Sequence, residues 1–197
     1  MYWQNQLYKE LLQLVSEGKV PRIAVLGIGS VLHSDDAAGV IMVRVFLQND
    51  IYGERLLVIN AGIAPENKLG ELRHFSPDLV LIIDAAQMGL KPGNVRCIDP
   101  RTIGGFSFST HTLPLQLLCR YISHETGSRV IILGIQPDDV SFKSALSPLV
   151  KESLRAVLHV LVKLLQPSLQ PTYDCSSRVD LFIQGNFPGC RYDWLPT

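Results

Sequence analysis

At 197 residues the chain is long enough for one domain with a substantial buried core. Its 47% hydrophobic and 18% charged residues exclude the low-apolar, high-charge signature of disorder. Lys plus Arg and Asp plus Glu are both 18, so the formal net charge is zero and no basic footprint for nucleic acid is present.

The opening MYWQNQLYKELL lacks a cationic segment followed by a continuous apolar core, so no secretory leader is expected. The most apolar run, 79–86, is broken by Asp84 and is too short to span a bilayer. The four cysteines, Cys97, Cys119, Cys175 and Cys190, form no CxxC pair, which argues against a zinc ribbon and suits the reducing cytosol.

Leu7, Leu11, Leu14 and Val15 recur at helical spacing and are stopped by Gly18 and Pro21. This predicts an N-terminal amphipathic helix, 1–21, packed on the domain edge. Ile23 to Leu26 is a strand-length apolar run that ends at Gly27-Ile28-Gly29. A loop with adjacent carboxylates, Asp35 and Asp36, follows, and then a helix with Val40, Val43 and Leu47 on one face.

Leu56 to Ile59 reads as a second strand that ends at Asn60-Ala61-Gly62. Residues 66–75 form a short helix or an irregular crossover. Leu79 to Ile83 is the third strand, apolar enough to be covered on both faces, and it ends at Asp84. Turn residues 89–94 lead to a fourth strand, Val95 to Ile98. A connection this short suits a hairpin, so that strand is expected to be antiparallel.

Thr110 can cap a helix that begins near His111 and buries Leu115, Leu118, Cys119 and Ile122. Val130 to Ile135 is the fifth strand. The last helix is expected over 146–165, with Ser147 and Pro148 as its N-cap and first residue. Residues 166–197 hold four prolines, two glycines and two cysteines without periodicity, and read as a tail in which Val179 to Ile183 could add an edge strand. The order predicts an α/β three-layer sandwich with a five-stranded, mostly parallel sheet, one antiparallel strand and helices on both faces.

Asp36, Asp84 and His111 stand where strands or turns end. Loops at the carboxyl ends of parallel strands converge on one crevice. Two carboxylates and an imidazole suit a borderline divalent metal such as zinc or nickel, and equally suit acid–base hydrolysis. Each has a bland alternative: a helix cap for Asp36, a hydrogen-bonded turn for Asp84 and a structural role for His111. The dinucleotide fingerprint is absent, because Leu32 stands where its third glycine would be. So are the G-x-S-x-G nucleophile elbow and the G-x-x-x-x-G-K-[ST] phosphate loop. Ser109 carries no mark of activation, and Cys97 and Cys119 fit the core.

The stretches LGIGSVLHSDDAAGV, NAGIAPEN, LVLIIDAAQMGLKPGNVRCIDP, STHTLPL and ILGIQPDDV, in this order, resemble the [NiFe]-hydrogenase maturation endopeptidases. Within them the chain is most similar to the branch that processes the large subunit of the formate-hydrogenlyase type of hydrogenase. The resemblance covers about 22–165 and implies a five-stranded twisted sheet between helices in a cytoplasmic enzyme. It implies removal of a C-terminal extension from the large-subunit precursor after nickel insertion, with the substrate's nickel as the recognition element and no permanent cofactor. The family's metal-contacting acid falls on Asp36, its strand-end aspartate on Asp84 and its histidine on His111. Gly27, Gly29, Asn60 and Gly62 fall on its substrate-binding loops. Asn60 departs from the family, many members of which carry an aspartate there; an amide cannot serve as a base or a strong anionic ligand. That departure, with the extra tail, motivates an alternative, a non-catalytic relative that binds the nickel-loaded precursor. A small-molecule hydrolase on the same scaffold is a third reading.

Overall fold

The computed structural model describes residues 2–15, 20–102, 114–143 and 145–165. His111, Thr110, Cys175, Cys190, the tail and its expected edge strand lie outside the described residues.

Five strands, β1 (Ile23–Ile28), β2 (Leu56–Gly62), β3 (Leu79–Ala85), β4 (Val95–Ile98) and β5 (Arg129–Ile135), form one sheet in the order β2-β1-β3-β5-β4. The β1–β2, β1–β3 and β3–β5 pairs are parallel, and β4–β5 is antiparallel. The helices are α1 (Tyr2–Val15), α2 (Ala38–Gln48), α3 (Leu69–Phe75), α4 (Leu115–Thr126) and α5 (Pro148–Leu165).

Strand residues alternate between two cores. Ile23, Val25, Leu79, Leu81, Ile83, Ile131 and Leu133 face α1, α2 and α5. Ala24, Leu26, Val80, Ile82, Val130 and Ile132 face α3 and α4. Both faces are covered, which is why β1 and β3 are apolar throughout and buried at every position.

Helix α1 is held on the first face by Trp3, Leu7 and Leu11, and by the Arg129–Glu10 ion pair at 2.5 Å. Val15, expected on its buried face, is exposed, because the contact follows residues 3, 7, 11 and 14 and leaves Val15 at its edge. Leu47 is likewise exposed: in the last turn of α2, Val45 and Phe46 take the buried face and Leu47 falls on the outer one.

Three expectations about elements change. The first two strands run on to Ile28 and Gly62, because Gly27 and Asn60 still pair across β1 and β2. Strand β4 is antiparallel, but it forms no hairpin with β3; β5 inserts between them and pairs with both. Helix α4 begins at Leu115 with Pro114 in an extended conformation before it, so the helix starts four residues after His111 and Thr110 is not its N-cap. Helix α5 begins at Pro148, and the Ser147 hydroxyl accepts the Val150 N–H at 3.4 Å, a capping bond.

Candidate active site

The chain leaves β1 for β2 on one side and returns to β3 on the other. The reversal opens a crevice beyond the carboxyl ends of β1 and β3, the usual ligand position in an open α/β sheet. Asp36 comes from the loop after β1, and Asp84 is the penultimate residue of β3.

Close backbone approach holds the two segments together. A Cβ on Gly39 would lie 2.0 Å from the Ile83 carbonyl oxygen and 2.5 Å from that of Ile28. Only glycine lets the first turn of α2 settle on both strand ends. Gly29, at φ +132°, lies under the following 3-10 turn Ser34–Ala37, and a Cβ there would meet the Asp36 carbonyl oxygen at 1.8 Å.

The adjacent acids divide their work. Asp35 has no exposed surface and stitches loops together: one carboxylate oxygen accepts the Ser147 N–H at 2.7 Å, and the other accepts those of Asp138 and Asp139 at 2.9 and 3.0 Å. Asp36 turns the other way, and its Oδ2 accepts the Ser30 N–H at 2.7 Å. It caps no helix: neither the 3-10 turn nor α2 has a side-chain cap.

Asp84 is fully buried and shares its side of β3 with Val80 and Ile82, toward α4. Burial first, and then the Asp84 charge, push the Cys119 thiol up to about 12. Burial, with Glu10 and Asp99 behind it, does the same to Cys97. Neither thiol can ionise near neutral pH, so neither is a nucleophile.

Asn60 is half-buried on β2 opposite Gly27, and Gly62 follows it in the left-handed conformation at φ +58°. Gln136, just past β5, was not singled out by sequence, yet it fixes the loop after β3: its Oε1 accepts the N–H groups of Met88 and Leu90 at 2.8 and 3.2 Å. Ser30, Asp35 and Ser147 also escaped as site-builders. The Asp35–Ser147 bond joins residues 112 apart, whereas Ser30 holds Asp36 across six residues, a local contact that the glycine-loop pattern does not mark.

Among the described residues no group of three or more His, Cys, Asp and Glu side chains is placed to hold a metal ion, and His111 lies outside those residues. A cavity of about 540 Å³ lies below α4, lined by Asp99, Arg101, Arg120, Ser123 and Arg129. It borders the start of β5, away from the loop that carries Asp36.

The family model described as HycI, hydrogenase maturation protease, matches residues 42–164, a span that contains Asp84 and His111 and starts after Asp36. This chain belongs to the hydrogenase maturation protease family. The hydrogenase 3 maturation protease of Escherichia coli K12 is 36% identical over 134 residues, which cover 68% of this chain and 84% of that one. A putative maturation protease of Methanocaldococcus jannaschii is 34% identical over 153 residues, covering 74% and 89%. The crystal structure of the [NiFe] hydrogenase maturation protease HycI from Thermococcus kodakarensis superposes with a TM-score of 0.70 at 33% identity, over 79% of this chain and 99% of that one. The protease is thus a peptidase by family, with the mostly parallel mixed sheet of its relatives. No helix among its described residues is long and apolar enough to cross a membrane.

Proposed function

We propose that this protease removes the C-terminal extension of a [NiFe]-hydrogenase large-subunit precursor after nickel insertion. The observation that carries the reading is the placement of Asp36 in the loop after β1 and of Asp84 near the end of β3, the two strands that flank the chain reversal. Two carboxylates, with His111 as their partner, can recognise a divalent ion whose other ligands belong to the substrate. The nickel is then cargo and recognition element, and the enzyme carries no permanent cofactor.

In this reading Asp36 and Asp84, with His111, contact the substrate's nickel or a water beside it. The ion polarises the scissile carbonyl or activates the water, and a carboxylate accepts the proton. The Ser30 N–H holds one oxygen of Asp36 in place beside the crevice. Gly27, Gly29, Asn60 and Gly62 shape the loops on which the substrate chain lies. The site works in the cytoplasm, where the precursor is assembled.

The second reading, a relative that binds the loaded precursor without cutting it, rests on Asn60. The test is to mix the purified chain with nickel-loaded and nickel-free precursor and weigh the products by mass spectrometry. Loss of the extension from the loaded precursor alone supports cleavage. Intact loaded precursor in a stable complex supports the binding reading.

A further inference from the structure

Large apolar side chains stand in solvent around the mouth of this site. Leu32, after β1, is 54% exposed; Ile63, after β2, is 64% exposed; and Phe142, after β5, is 75% exposed. Three loops at the carboxyl ends of three parallel strands therefore present them on one side of the molecule.

The display is rigid where it faces Asp36. The Ser34 N–H donates to the Lys143 carbonyl at 2.6 Å, its hydroxyl donates to the Ala145 carbonyl at 2.7 Å, and the Asp35 N–H donates to the Asp139 carbonyl at 3.0 Å. Asp35 returns three bonds through its carboxylate. These bonds hold Ser34 at φ +37°, a strained value for a residue with a side chain. The His33 ring stands edge-on to Phe142, with centroids 5.6 Å apart, while its Nδ1 lies 3.1 Å from the Ser30 hydroxyl. Phe142 is thus linked through His33 to Ser30, whose N–H holds Asp36. Such order around a solvent-facing aromatic is the preorganisation of a binding surface.

We propose that Leu32, Ile63 and Phe142 form the docking rim for the protein substrate and take apolar side chains of the large-subunit precursor around its cation centre. The inference rests on the peptidase reading. Charge complementarity selects the occupant: the buried carboxylates of Asp36 and Asp84 lie behind an apolar rim, which fits a polypeptide that brings a divalent cation within an apolar surface. Truncating the rim weakens binding in ground and transition state alike, so it raises KM and spares kcat.

The test compares the full-length chain with Phe142→Ser and with Leu32→Ser/Ile63→Ser, using nickel-loaded precursor from the same organism. Leu12→Ser, an equally exposed position on α1 outside the rim, is the control. Each rim variant is expected to keep the wild-type melting temperature and to raise KM by about tenfold. Cleavage by the wild type with unchanged KM in both rim variants overturns the rim and leaves the peptidase reading standing. Binding without cleavage, lost in the rim variants, overturns the peptidase reading and keeps the rim. Neither binding nor cleavage by the wild type overturns both. Light scattering and hydrogen exchange address the other occupants. A wild-type dimer that Phe142→Ser splits, or a monomer whose 140–143 amides are protected before precursor is added, shows the rim already covered and overturns the proposal.

Discussion

Gly39 rests directly on Ile83, with no room for a methyl group between them: a Cβ would lie 2.0 Å from the Ile83 carbonyl oxygen. The contact locks the first turn of α2, and the acid-bearing 3-10 turn before it, to the strand that carries Asp84. Backbone lies on the far side, so no side-chain adjustment can relieve the clash. Gly39→Ala should cost about 1–3 kcal/mol, the usual penalty of overpacking. It should also reduce cleavage beyond what the stability loss explains, because it separates the β1 loop from β3. Urea denaturation and a cleavage assay on the folded fraction check both outcomes.

Asp35 and Asp36 are chemically identical neighbours with opposite expected phenotypes. Asp35→Ala removes the acceptor for three backbone N–H groups in a closed site. The loss should be about 3–5 kcal/mol, as for a buried charge network that is broken on one side. Asp36→Asn keeps an oxygen acceptor for the Ser30 N–H and should cost less stability than Asp35→Ala, yet abolish cleavage. Parallel denaturation and activity curves separate the two.

The loop beside the site also has an acid dependence. Its Lys143 hydrogen bond, and then those from Ser141, pull the Asp139 carboxyl down to about 2 from 3.8. A carboxyl depressed in the folded state stabilises it above the unfolded value and loses that contribution as pH falls toward 2. Asp139→Asn should therefore flatten the fall in stability between pH 4 and 2 and lower stability at pH 7 by the same amount, a small one because solvent screens so exposed a pair. Thermal melts across that range test the sign.

Cys97 and Cys119 are buried, and their thiols are pushed up to about 12. Iodoacetamide at pH 8 should leave both unmodified in the native protein and label both in denaturant. Peptide mapping by mass spectrometry reads this directly. Fast native labelling of either would break the account of a peptidase without a thiol nucleophile.

Much of this architecture was legible in the residues. Apolar runs covered on both faces revealed β1, β3 and β5, and the short link to β4 correctly implied an antiparallel strand. The link did not reveal that β5 would lie between β3 and β4, because strand order depends on packing between distant segments. Asp36 and Asp84 stood out because carboxylates at the ends of apolar strands are costly without purpose. Asp35 looked the same as Asp36 in sequence. Its structural role appears only when Ser147, 112 residues away, meets it in space. Leu47 and Val15 were misplaced for a related reason: helical spacing marks an apolar stripe, but only the packed neighbours decide which residues at its edge are covered.

The central claim is that Asp36 and Asp84 together carry nickel-dependent cleavage. The direct measurement is the intact mass of nickel-loaded large-subunit precursor after incubation with wild type, Asp36→Ala and Asp84→Asn, with folding verified by circular dichroism. The account predicts loss of the C-terminal extension with wild type and a folded Asp36→Ala protein that is slower by at least about a hundredfold, with Asp84→Asn similarly impaired. A folded Asp36→Ala chain that releases the extension at the wild-type rate would contradict it.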